Sequence, residues 1–181
     1  FIAGISANKF EVVNQFYKLR LFDYGINFYS VLIAFILCDF IFYFFHWVEH
    51  KFPFLWSLHQ VHHSSLDISY ATSLRIPWIL FFVTPFYYAP LMFLGFHPLI
   101  IIFCKKMILT YQFLIHKPVR KKDSFWGKYF ITYQSHSAHH LADPKFHNKN
   151  FGGILSIWDH MFGTYIECDE TVAPDYGVRG A

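Results

Sequence analysis

Eight histidines in three clusters carry the chemistry of this chain. His46 and His50 stand four apart, His59, His62 and His63 spell His-x-x-His-His, and His136, His139 and His140 repeat that spelling. Residues three and four apart share a helix face. Each cluster is therefore expected to present two or three imidazoles toward one point. Neutral imidazole is the commonest side-chain ligand for metals near neutral pH. Eight converging imidazoles exceed the four ligands of one tetrahedral zinc, so the spacing predicts a site for two metals. A single His-x-x-x-His arises easily by chance, but a repeated His-x-x-His-His beside it does not. The isolated His97, His147 and His160 read as bystanders.

Imidazole suits zinc, copper, iron and nickel alike, so spacing alone leaves the metal open. No inward Glu-x-x-His pair accompanies the clusters, which excludes the carboxylate type of di-iron bundle. Hydrolytic chemistry would want an ester or phosphate and a general base. An unactivated C–H bond demands oxygen activation by a pair of redox metals. Two carboxylates have a double reading. Asp39 lies two turns before His46 on the same helical face, and Asp159 stands in Trp158-Asp159-His160. Each is either a buried, hydrogen-bonded structural group or an acceptor that orients a ligand imidazole through its other nitrogen. Glu49 reads as solvated, pointing away from the His46 and His50 face.

The elements that must position these residues belong to a membrane. The 181 residues are 55% hydrophobic and 15% charged, where a soluble domain is about a quarter charged. The net charge of +3, spread thinly, excludes a nucleic-acid surface. Cys38, Cys104 and Cys168 are distant and show no CxxC spacing, so neither a disulfide framework nor a thiolate zinc site is expected. The apolar run at 28–45, extended to Val48, meets the length of about 20 residues that a bilayer core requires. A second run at 77–96 is interrupted by Pro85 and Pro90, Gly95 to Pro98 reads as a tight turn, and a third run at 99–115 ends at His116. The last two form a hairpin that leaves the histidine side and returns to it.

All three clusters and His116 thus fall on one face of the membrane. Lys51, Arg75, Lys117, Arg120, Lys121, Lys122 and Lys128 lie on that side, and the 95–98 turn carries no cation. Lys9, Lys18 and Arg20 precede the first span and weaken the contrast without reversing it, so the positive-inside tendency makes the histidine face cytoplasmic. Lys105 and Lys106 interrupt the third run, where charge is costly and usually faces protein or water. Residues 1–27 are expected to form an interfacial or partial preceding helix, 28–165 a membrane catalytic domain, and 166–181 a tail. Within the polar part, 124–140 reads as partly helical, Asp143-Pro144 as a break, and 154–162 as a short helix ended by Gly163. The absence of an initial Met suggests a piece of a longer protein. The expected fold class is an all-α integral membrane protein whose transmembrane helices carry a histidine-rich dimetal site under a short helical C-terminal region.

The order His-x-x-x-His, His-x-x-His-His, an isolated histidine after a hydrophobic hairpin, then His-x-x-His-His resembles the fatty acid hydroxylase/sterol desaturase superfamily. The text that carries this is DFIFYFFHWVEH from Asp39, LHQVHHSS from Leu58, YQFLIH from Tyr111, HSAHH from His136 and NFGGILSIWDHMFGT from Asn150. HQVHHSS and KNFGGILSIWD look most like the alkylglycerol monooxygenase-like branch. The resemblance implies a membrane-bound non-haem di-iron enzyme, with two Fe ions as cofactor. It would hydroxylate or desaturate a lipid (fatty acyl, sterol or ether lipid) with O2 and electrons from a reductase or cytochrome b5-like donor. Localisation would be multi-pass, in the inner membrane of a bacterium or the endoplasmic reticulum of a eukaryote. Carried over residue by residue, the metal ligands would be His46, His50, His59, His62, His63, His116, His136, His139 and His140. Relatives often have a further histidine directly before the last cluster, where this chain has Ser135.

A second function class is a histidine-rich membrane protein that binds or transports metal. Transport would place ionisable ligands near mid-membrane on crossing helices. Clusters at span ends on one side favour the oxidase reading.

Overall fold

The computed structural model describes residues 15–118, 125–167 and 175–178. All elements there are helical. The β-pairing among the described residues is limited to two isolated bridges, Phe130 with Leu155 and Leu141 with Tyr176. The expectations for 1–14, for Arg120, Lys121 and Lys122, and for most of the tail lie outside the described residues. Residues 15–18 make one helical turn. The segment after it crosses the end of a helical hairpin, with Leu21 N–H on Phe93 O at 2.7 Å.

Helix α1 runs Phe28–Lys51. Asn27 and Ser30 start it with a reciprocal capping box at 3.0 Å in both directions. Its 24 residues reach about 36 Å. It ends because Phe52 precedes Pro53 and is held extended (φ −99°, ψ 120°). Pro53 then opens α2, Pro53–His63. This one-residue corner folds α2 back so that His59 and His63 meet His46 and His50. A short α3, Tyr70–Ser73, leads to α4, Leu80–Leu94, which contains Pro85 and Pro90.

Gly95 closes α4 in the left-handed region (φ +113°), with Phe96 N–H on Leu91 O and Gly95 N–H on Met92 O, both 3.0 Å. A Cβ at Gly95 would also collide with the Phe22 carbonyl. Helix α5, Pro98–Ile115, returns to the histidine side. His97 caps it, its Nδ1 accepting from Leu99 N–H at 3.2 Å, far from the clusters in sequence and in space. The apolar run at 77–96 yields a shorter helix than its length suggests. At 15 residues, about 22 Å, α4 falls short of a bilayer core of about 30 Å.

The helices α1 and α5 are long and apolar enough to cross a membrane. They meet through Ala34, Cys38, Cys104 and Ile108, all fully buried, where small side chains permit close approach. Their outer faces expose Phe28, Ile33, Phe103 and Leu114. The polar part adds a 3-10 turn at Phe125–Lys128, helix α6 at Tyr133–His139, a second 3-10 turn at Pro144–Phe146 and helix α7 at Ile157–Phe162. Thr132 and Ser135 form the capping box that opens α6, so the residue standing where relatives often carry histidine has a structural task here. Helix α7 starts later than the 154–162 reading because Asp39 holds Ile154 and Leu155 in the preceding loop.

Candidate metal centre

The nine histidines gather into two adjoining groups. His46, His50, His59, His63 and His139 form one; His62, His116, His136 and His140 form the other. Within each group one ring nitrogen per residue lies within 4.8 Å of every other. The groups touch through His63 and His140, whose rings stack at 4.4 Å. This corrects the expectation that each sequence cluster serves one point. His-x-x-His-His is divided both times: His59 and His63 face the first group and His62 the second, while His139 faces the first and His136 and His140 the second. Adjacent positions on a helix diverge by about 100°, so neighbouring imidazoles straddle the two groups.

The outer nitrogens are held by the protein. His46 Nδ1 donates to Phe151 O at 2.9 Å, His139 Nδ1 to Lys149 O at 2.6 Å, His62 Nδ1 to Thr72 O at 3.1 Å, and His116 Nδ1 to Gln112 O at 2.5 Å. A carbonyl only accepts, so each of these rings carries its proton on Nδ1 and turns a bare Nε2 inward. In the first group, Nε2 of all five histidines is buried without a hydrogen-bond partner. In the second, Nε2 atoms face one another: His62 to His116 at 3.2 Å, His136 to His116 at 3.0 Å and His140 to His136 at 3.2 Å. For His62 and His116, both protonated on Nδ1, that contact sets lone pair against lone pair.

A cation shared between the two nitrogens would resolve this. Metal–nitrogen bonds of about 2.1 Å place two ligand nitrogens roughly 3.0 to 3.4 Å apart, from right-angled to tetrahedral geometry. The donor set fits two metal ions. Protonation would not resolve it, because burial drives His62, His63, His136 and His140 well below the ordinary histidine range, with neighbouring imidazoles adding to the effect. Burial also lowers His116 and pushes His139 down to about 3.

Of the two readings open for Asp39 and Asp159, the contacts match the first, a buried and hydrogen-bonded group. Neither Asp39 nor Asp159 receives a hydrogen bond from an imidazole. Asp39 accepts from Ile154 N–H at 2.7 Å, Leu155 N–H at 3.2 Å and Trp158 Nε1 at 2.9 Å. Asp159 accepts from Phe151 and Gly152 N–H, both at 2.8 Å, and from Thr164 Oγ1 at 2.7 Å. In the loop at 149–155, Asn150 N–H reaches Thr164 O at 2.9 Å, but the donors after it face no helix or strand, and buried donors must be paired. The two aspartates supply that pairing. They act on the histidines only through the loop, whose Lys149 and Phe151 carbonyls receive His139 and His46. Gln112 Nε2 grips the same loop at Gly152 O and Gly153 O, at 3.1 and 2.5 Å. A Cβ at Gly153 would stand 2.7 Å from Asp39 Oδ1, and one at Gly152 only 2.5 Å from Leu155 O. That crowding accounts for the paired glycines. Burial raises the Asp159 carboxyl from its ordinary value, and its three hydrogen bonds oppose the rise.

The carboxylate that does reach an imidazole is Glu49, read from sequence as solvated. Its Oε2 lies 2.9 Å from His59 Nδ1, and its side chain is only 13% exposed. A signal was present: Glu49 is one turn from His46, on the flank of α1 that a reversal at Pro53 would cover. The bystanders remain outside both groups. His147 Nε2 donates to Ala142 O at 3.1 Å, and His160 stacks on Tyr165 at 4.0 Å.

Two cavities reach the histidines. A mainly apolar one of about 390 Å³ lies between α1, α4 and α5 and ends on His46, His59, His62, His116 and His136. A more polar one of about 310 Å³ meets His50, His63, His139 and His140 from the other side, beside Trp56 and His147.

The fatty acid hydroxylase family model matches residues 31–164, which include all nine histidines and both aspartates. Alkylglycerol monooxygenase of Danio rerio is 36% identical over 147 residues, 81% of this chain and 32% of the relative. Its Homo sapiens counterpart is 34% identical over 145 residues, 80% of this chain and 32% of the relative. Ornithine lipid hydroxylase OlsE of Rhizobium tropici is 25% identical over 153 residues, 84% of this chain and 46% of the relative. The chain thus spans about a third of the length of the alkylglycerol monooxygenases it matches. No solved structure matches it. With a family match across both histidine groups and the loop that braces them, the chain belongs to the fatty acid hydroxylase family, alongside the alkylglycerol monooxygenases.

Proposed function

We propose that this chain is the catalytic core, over residues 28–165, of a membrane-embedded non-haem di-iron enzyme that hydroxylates a lipid with O2. The observation that carries the reading is the pair of inward-facing nitrogen groups at the end of an apolar cavity. Transport would need ligands strung along a path. Here they converge on two adjoining points, at the end of a chamber suited to a hydrocarbon.

The ligands would be His46, His50, His59, His63 and His139 for one ion and His62, His116, His136 and His140 for the other. Bound iron would supply the one-electron redox chemistry and oxygen activation that an unactivated C–H bond requires. The protein's own work is orientation and exclusion. The Phe151, Lys149, Thr72 and Gln112 carbonyls fix the rings. Ile41, Phe45, Leu80, Leu109 and Phe113 line the chamber, so a lipid chain displaces water from the side of the histidines where C–H oxidation would occur. The relatives' names, monooxygenase and hydroxylase, favour hydroxylation over desaturation. Electrons would come from a reductase or a cytochrome b5-like donor. The histidine ends of α1 and α5 would face the cytoplasm of a multi-pass membrane protein.

Purification of the full-length protein without chelator tests the reading, with metal analysis and aerobic incubation with mixed membrane lipids beside His139→Ala. About two irons per chain and an oxygenated lipid product absent from the variant are expected. One iron per chain, or activity with zinc alone, would overturn the di-iron assignment.

A further inference from the structure

The apolar cavity contains one feature that hydrocarbon binding leaves unexplained. Among the described residues, Lys105 brings to its wall the only Lys or Arg side chain. Its neighbour Lys106 is exposed on the outside of α5. Lys105 Nζ lies 5.6 Å from the centroid of the Tyr88 ring, and no carboxylate is within ion-pair distance of it among the described residues. The other charged group on the wall, Glu49, sits at the histidine end, engaged with His59. An ammonium in the middle of an apolar helix is costly, and such groups are held where they meet a partner. A ring face satisfies part of that demand. An anion would satisfy the rest.

The geometry specifies what would carry the anion. Lys105, Leu109, Gln112, Phe113 and His116 fall on one face of α5, and all five line the cavity. From position 105 to position 116 the helix rises about 16 Å. The cavity therefore has a cationic level and a histidine floor, with apolar wall between them. Its 390 Å³ is in the range of sites for single small ligands.

We propose that Lys105 anchors the anionic group, a carboxylate or a phosphate, of a single-chain amphiphile whose alkyl chain lies along α5 toward the histidines. This rests on reading the cavity as the substrate chamber of a lipid hydroxylase. Lys105 is then the residue that selects an acidic amphiphile over a neutral one of equal chain length.

Binding tests this without turnover. The full-length protein in phosphatidylcholine nanodiscs is titrated with radiolabelled dodecyl phosphate, dodecanoate and dodecanol. The same titrations are run on Lys105→Met and Lys105→Arg, with iron content as the check on folding. Wild type is expected to prefer the two anions over dodecanol by about 10- to 100-fold, the range for a hydrogen-bonded charge. Lys105→Met should bring that ratio close to one, and Lys105→Arg should restore most of it. The tighter of the two anions tells carboxylate from phosphate. No anionic preference in wild type, or an equal preference in Lys105→Met with normal iron, overturns the proposal. A Lys105-dependent preference in a protein that oxidises no lipid would sustain the anchor and remove the hydroxylase reading. Oxidation of lipid with no Lys105 dependence of binding would do the reverse.

Discussion

Glu49 and His59 face each other across the corner between α1 and α2, carboxylate oxygen to Nδ1 at 2.9 Å. It is the one charged acceptor on an imidazole of either group among the described residues; the other Nδ1 hydrogen bonds given above end on main-chain carbonyls. A carboxylate behind a ligand raises the basicity of the inward nitrogen. Glu49→Ala is therefore expected to weaken iron binding about 10- to 100-fold. Glu49→Gln, which keeps an acceptor but loses the charge, should fall between. Iron retained against graded chelator would measure both. Unchanged retention in Glu49→Ala would reduce the contact to a structural pair with no part in binding iron.

The division of His-x-x-His-His between two groups has its own signature. His139→Ala removes a nitrogen from the five-membered group and His136→Ala one from the four-membered group. Each variant is expected to keep about one iron in place of two, and the two residual sites should differ spectroscopically, for instance by Mössbauer parameters. Identical residual spectra would show that both residues serve the same ion.

The brace behind the loop predicts a loss that begins away from the histidines. Asp159→Ala strands the buried Phe151 and Gly152 N–H groups, at about 1–3 kcal/mol for each. It also frees the carbonyl that holds His46. Lower thermal stability and weaker iron binding should appear together. Gly153→Ala, which drives a methyl against Asp39, should lower stability with a smaller effect on iron. Metal affinity lost in Asp159→Ala at unchanged melting temperature would place Asp159 nearer the ions than its contacts do.

Acid should destabilise the metal-free protein, with a definite sign. Free histidine titrates near 6.5. Burial holds His62, His63, His136 and His140 well below that in the folded chain, and His139 at about 3. The unfolded chain therefore binds more protons between those values. Stability is fully present above about pH 6.5 and is lost progressively as pH falls toward about 3. Melting of chelator-treated full-length protein at pH 7.5, 6.0 and 5.0 should show a falling midpoint. A midpoint that rises on acidification would contradict the buried neutral histidines.

Orientation is testable from outside the cell. His97 caps α5 at the end away from the histidines, and Lys145 lies exposed in the polar part. In a background without the native cysteines, an impermeant thiol reagent should leave Lys145→Cys unlabelled in intact cells and label it after lysis. Labelling in intact cells would put the histidine face outside.

Much of this molecule is legible in the order of its residues. The spacing of the histidines tells that their imidazoles converge, and their number exceeds what one tetrahedral metal would need. The long apolar runs announce helices, and Gly95 and Gly163 mark where two of them stop. These are local properties: helical periodicity, backbone restriction at proline and the left-handed freedom of glycine act within a few residues. The assignment of each imidazole to one group or the other is different in kind. His59 and His62 share a helix, yet they serve different groups because α2 is laid against α1 on one side and faces α5 and α6 on the other. The partnership of Glu49 with His59 and of Asp39 with a loop more than a hundred residues away arises the same way. So does the inward turn of Lys105 beside an outward Lys106. Each depends on which face of a helix its neighbours cover, and that is settled only when the apolar faces of α1, α4 and α5 are buried against one another.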